Sequence, residues 1–120
     1  MTALRLTASA RRDVATALAQ SEQQFGRAAR RRYRLLLQRA FDDLAQDPRR
    51  PGVRDDPHLP ADHRLYPVRL SRARVATADR VGNPRHVVVF RIDKQGVEVL
   101  RLLHEAMDLP RHLPPGGEGL

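Results

Sequence analysis

Apolar positions recur at helical spacing in two consecutive stretches near the start of the chain. In the first, Ala10, Val14, Leu18 and Phe25 are separated by Arg11, Arg12, Asp13, Gln20 and Gln24, which predicts an amphipathic helix. Thr7 or Ser9 can cap it, and Gly26 supplies a left-handed stop. In the second, Ala29, Tyr33, Leu36, Leu37, Ala40, Phe41 and Leu44 fall on one face before Pro48 ends the helix. The short break at Gly26 makes the pair an antiparallel hairpin. Weak alternation from Leu4 to Thr7 predicts a short strand that delivers the chain into it.

Between Pro48 and Asp62 stand Pro48, Pro51, Pro57 and Pro60 among charged residues, a composition that no regular element accommodates. Three strands are predicted beyond this loop: Leu65 to Leu70, His86 to Ile92 and Val97 to Leu103, the last two joined by a turn at Asp93-Lys94-Gln95-Gly96. Arg74 to Val81 is a candidate edge strand, closed by Gly82-Asn83-Pro84. The near-continuous apolar run Val87-Val88-Val89-Phe90 reads as a central strand with both faces covered. The expected fold is α+β, an N-terminal α-helical hairpin packed on an antiparallel β-sheet. Residues 1–113 form a single domain in this reading, and the Pro-Gly-rich residues 114–120 a disordered tail.

Charge modifies this picture. In the second helix Arg27, Arg30, Arg31, Arg32 and Arg34 crowd the positive end of the dipole and Asp42, Asp43 and Asp47 the negative end, so intrinsic helix stability did not select the arrangement. The 120 residues carry 22 Lys plus Arg against 14 Asp plus Glu, a net charge of +8. Up to Asp62 the 12 Arg and 8 acids give +4, and from His63 onward 9 Arg, Lys94 and 6 acids give +4 again. The charge is therefore not a tail, and it favours an acidic partner, whether nucleic acid or protein. A chain this short leaves no room for a separate cofactor domain. The absence of cysteine removes disulfides and thiolate chemistry and fits the cytoplasm. Neither a signal-peptide core nor a run of about 18 apolar residues is present, so a soluble protein is expected.

The order strand, helical hairpin, proline-rich loop and antiparallel strands, closed by Arg101-Leu102-Leu103-His104-Glu105-Ala106-Met107-Asp108-Leu109-Pro110-Arg111-His112-Leu113, resembles the RelE/ParE superfamily of toxins from type II toxin-antitoxin systems. The ParE branch is the most similar, through Leu6-Thr7, Ala10, Asp13, Phe25-Gly26, Tyr33, Leu44-Ala45 and Arg85-His86-Val87-Val88-Val89-Phe90-Arg91. The resemblance implies a toxin that inhibits DNA gyrase and is neutralised by a cognate ParD-like antitoxin, with operator DNA met only indirectly through that antitoxin. The alternative is a RelE-like, ribosome-dependent mRNA endoribonuclease, which shares the fold. RelE-type nucleases commonly have an arginine where this chain has Ala106, lysines before the central strand and a tyrosine near the C-terminus; here these are missing. A binding inhibitor without catalytic residues is the better match.

The resemblance and the local chemistry together mark Arg91, Arg101, His104, Met107, Asp108, Arg111 and His112 as the expected target-binding set. Arg101 stands inside an apolar strand, so it either faces solvent or pairs with an acid such as Glu98 or Asp108. An antitoxin segment is expected along the hairpin, on Arg30, Arg31, Arg34, Tyr33 and Leu37, and at the sheet edge. His104, Asp108 and His112 are spaced as metal ligands on a helix would be, but Pro110 interrupts it, and the acids and histidines of the proline-rich loop read as solvated. No metal or cofactor is expected.

Overall fold

The computed structural model describes residues 2–105. Strand β1 (Leu4–Leu6) leads into helices α1 (Ala8–Phe25) and α2 (Arg27–Gln46); β2 (Arg64–Pro67), β3 (His86–Asp93) and β4 (Gly96–His104) follow the proline-rich loop. The strands form one sheet in the order β1-β4-β3-β2. The α+β architecture is the expected one, with the N-terminal helices on a sheet. The sheet is mixed, since β1 runs parallel to β4 while the other pairs are antiparallel.

Thr7 is the N-cap of α1. Its hydroxyl accepts from the Ala10 N–H at 3.0 Å and donates to the Leu100 carbonyl at 2.9 Å, tying the helix start to β4. Because both bonds depend on one oxygen, Thr7→Ala is expected to cost about 1–2 kcal/mol in urea unfolding, with Thr7→Ser recovering most of it. At the other end Gly26 has φ +96° and closes α1 while opening α2. A side chain would be strained there.

The buried stripe of α2, with Leu36, Leu37, Ala40 and Leu44, packs on Tyr66, Val88, Phe90, Val97, Val99 and Leu102 of the sheet. Leu59, Leu65, Val87, Val89 and Leu103 cluster on the opposite face. Strand β3 is thus covered on both sides, as its apolar run predicts. Phe25 departs from the helical pattern: it is 74% exposed, past the last core residue of α1.

Two strand expectations fail. The segment predicted as strand from Leu65 to Leu70 stops at Pro67 and becomes a 3₁₀ helix, Val68–Arg74. Three residues per turn bring Val68 and Ser71 to the same inward side, and both are buried. The candidate edge strand over 74–81 is instead irregular, with a 3₁₀ turn at Thr77–Asp79. Arginines satisfy its carbonyls in place of a strand partner: Arg80 donates to Val75 O at 3.0 Å and to Ala73 O at 2.9 Å, and Arg72 donates to Val81 O at 2.5 Å.

The 3₁₀ helix is held by Asp43, an acid on the buried side of α2. Ser71 Oγ donates to Asp43 Oδ2 at 2.7 Å and is itself 2.7 Å from Tyr66 Oη. Arg39, Arg50 and Arg74 approach the same carboxylate at 3.4, 3.2 and 2.9 Å. The acid placed against the helix dipole therefore has a tertiary role, joining α2 to the loop after it and to the 3₁₀ helix.

Candidate functional site

A cleft of about 490 Å³ opens where the end of the helical hairpin meets the end of the sheet. Its floor follows from strand register. His86 begins β3 and His104 ends β4, and the two are cross-strand partners. Their rings stand edge to face, with centroids 5.5 Å apart. Tyr33, on the buried stripe of α2, reaches over the same spot; its hydroxyl hydrogen-bonds His86 Nδ1, with the two rings edge to face at 5.4 Å. Gln20, Gln24 and Phe25 of α1, Arg32 of α2, and Asn83 and Arg85 before β3 form the walls and mouth.

Burial pushes the His86 imidazole down to about 4, and the neighbouring His104 pushes it the same way. His86 is therefore neutral at pH 7. Burial also raises the Tyr33 phenol well above its ordinary value. An un-ionised phenol beside a neutral imidazole is a polar contact in which the cleft floor carries no charge from either group.

Arg101 lies beside this floor on β4. The register shift between Val89 and Phe90 leaves Leu100 as an extra residue in β4, because Val89 faces Arg101 while Phe90 faces Val99. Strand β1 ends at Leu6, paired with Val99, so the outer edge of β4 beyond that point would lack hydrogen-bond partners. Asp13 of α1 covers it. Its carboxylate accepts from the Leu102 N–H at 3.0 Å and from Arg101 Nε and Nη2 at 2.6 and 3.1 Å. Among the described residues Arg101 thus pairs with Asp13 and not with Glu98.

Glu98 belongs to Arg91, whose Nε lies 2.8 Å from its Oε1, with Asp62 3.8 Å away on the other side. Arg91 pairs in register with Glu98 near the β3–β4 turn, and six residues at strand rise put it roughly 20 Å from His104 along β4. The structure therefore brings Arg101 and His104 to one end of the sheet and leaves Arg91 at the other. Met107, Asp108, Arg111 and His112 lie outside the described residues.

On α2 the exposed Arg30 pairs with Glu22 at 3.3 Å and Arg31 with Asp79 at 2.8 Å, while Arg34 is exposed. Leu37 is 2% exposed and belongs to the core, so the expected antitoxin contact through its side chain does not fit its position. Tyr33 is also buried, with its hydroxyl turned to His86. In the proline-rich loop Asp55 pairs with Arg64 and Asp62 with His63. Among the described residues no group of three or more histidines and acids is arranged to hold a metal ion. No helix among them is long and apolar enough to cross a membrane.

Asp13, Asp43 and His86 are the residues whose roles sequence reasoning missed. Asp13 and Asp43 occupy ordinary helical positions, and partners that define their roles lie far along the chain, Arg101 for Asp13 and Ser71 for Asp43. His86 carried a usable signal, a polar residue heading an apolar strand.

The family model for the ParE toxin of type II toxin-antitoxin systems, parDE, matches residues 4–109. No curated protein matches the chain.

Proposed function

Because the chain belongs to the ParE toxin family of type II toxin-antitoxin systems, we propose that it acts by binding and arresting DNA gyrase, without cleaving nucleic acid, and that a ParD-like antitoxin neutralises it. The observation that carries this reading is the state of the strand arginines. In the ribonuclease reading the strand arginines Arg91 and Arg101 supply the cations for the scissile phosphate, and they must be free to do so. Arg101 is held by Asp13 and Arg91 by Glu98, and the Ala106 position offers no replacement. The paired histidines of the cleft favour the second reading, ribosome-dependent mRNA cleavage, since imidazoles transfer protons. His86, with its proton affinity lowered by burial, could serve there only as an acceptor.

The gyrase contact is proposed at the end of β4 and the residues that follow it. With purified gyrase, the full-length protein is expected to abolish supercoiling, and added antitoxin to restore it. With translating ribosomes, mRNA is expected to remain intact. Cleaved mRNA together with unaffected gyrase would move the protein to the nuclease branch.

The antitoxin is proposed to approach the basic surface of α2. Changing Arg30, Arg31 and Arg34 together to Glu is expected to slow association more than it hastens dissociation, because exposed charges act on encounter. An unchanged association rate at low salt would place the antitoxin on another surface.

A further inference from the structure

The cleft has a composition that the gyrase reading does not use. None of the described residues lining it is acidic. Arg32 and Arg85 stand at the mouth, and of these Arg85 is 3.5 Å from Glu105 whereas Arg32 has no ion pair among the described residues. The amides of Gln24 and Asn83 face the same space. Phe25 is an exposed aromatic ring on the rim, and Tyr33 is a second aromatic on the floor. The volume, about 490 Å³, is that of a small-molecule site.

We propose that this cleft binds a nucleotide unit: a base held against Phe25 with its edge read by the amides of Gln24 and Asn83, and its phosphate held by Arg32 and Arg85. Each part of the ligand answers a feature of the site. Aromatic rings offer a stacking surface to any base, amides donate and accept along a base edge, and the guanidinium fork matches a phosphate. No carboxylate is among the described lining residues, and the nearest acid at the mouth, Glu105, already sits on Arg85, where a phosphate would compete with it. The backbone of Phe25 is placed at the cleft rim by the last turn of α1 and by Gly26, whose positive φ sets the angle of the hairpin tip. An acidic peptide could meet the same arginines and amides, but it carries no flat base to lie on the exposed Phe25 ring. The proposal does not rest on the gyrase reading, and the two fail separately.

The test titrates the full-length protein with a nucleoside monophosphate, the corresponding nucleoside, inorganic phosphate, and a short single-stranded oligonucleotide carrying non-cleavable linkages, followed by calorimetry or chemical shifts. Saturable binding is expected for the monophosphate or the oligonucleotide, each at least roughly tenfold tighter than nucleoside or phosphate alone, because both halves of the site contribute. Tighter binding of the free monophosphate would identify a soluble nucleotide as the source, and tighter binding of the oligonucleotide a single strand. Phe25→Ala is expected to weaken binding roughly five- to hundredfold with the salt dependence unchanged, whereas Arg32→Gln is expected to weaken it and also flatten the salt dependence. Both side chains lie outside the core, so the variants are expected to keep the parent thermal midpoint. The proposal is overturned by phosphate binding as tightly as the monophosphate, by no saturable binding of any nucleotide, or by folded Phe25→Ala and Arg32→Gln variants that bind as the parent does.

Discussion

Asp43→Ala is expected to cost about 3 kcal/mol of stability, near the lower end of the range for removing one partner from a buried ion pair. The carboxylate is fully buried among three guanidinium groups and the Ser71 hydroxyl. Its removal leaves those cations facing one another and Ser71 without its acceptor. The value stays near the lower end because the arginine side chains are 21–48% exposed and can turn partly to water. Arg50 also retains its position over the Tyr66 ring, 5.5 Å from the centroid. Asp43→Asn separates charge from shape, since an amide can still accept from Ser71. Urea unfolding should place it between the parent and Asp43→Ala. A loss below about 1 kcal/mol for alanine would show that packing of the 3₁₀ helix, and not this carboxylate, holds the segment in place.

The difference between what the sequence pattern reveals and what it conceals follows from the range of the interactions. The helical hairpin was legible because its stripe repeats locally: Leu36, Leu37, Ala40 and Leu44 are all buried. Strands β3 and β4 were legible for the same reason, and the turn between them fell where Gly96 places it. There φ is +119° and a side chain would strike the Ala3 carbonyl at 2.3 Å. Phe25 misled because an aromatic at the right spacing looks like core, whereas it stands beyond the last turn that the sheet covers. The segment from Val68 to Arg74 misled because its inward period is three, set by Ser71 meeting Asp43 across 28 residues. Arg101 stands out in the sequence as a charge inside an apolar strand, and local spacing points only to acids on or just after that strand. Among the described residues it pairs with Asp13, 88 residues away, which becomes available because β1 is short enough to leave the edge of β4 to the helix. The cleft is a product of such long-range placement. Its histidines come from the two ends of a hairpin and its tyrosine from a helix, and no local spacing links them.

Acidification is expected to destabilise the protein from about pH 6.5 down to about pH 4, with His86 supplying up to about 3 kcal/mol of the loss. The folded-state pKa of His86 is depressed, so through this window the unfolded chain takes up a proton that the folded chain refuses, and stability falls with falling pH. Above the window both states are neutral at this residue, and below it both are protonated, so its contribution is flat on either side. Groups around the ring act in both directions. Burial and His104 disfavour the charged form, while the nearby carboxylates Asp13 and Glu105 favour it but do not prevail. The Tyr33 phenol, raised by burial, does not titrate in this range. Asp62 and Asp93 have lowered pKa values, Asp62 through His63 and Asp93 through Arg5. Their losses therefore come at lower pH, beneath the ordinary carboxylate range, and stay distinct from the histidine step. Urea midpoints between pH 7 and pH 4 should decline for the parent, and His86→Gln, which keeps a hydrogen-bonding partner for Tyr33 without a titrating ring, should lose that part of the slope. Parallel curves for the two proteins would show that His86 is solvated enough to be protonated in place, and that the cleft floor tolerates a charge.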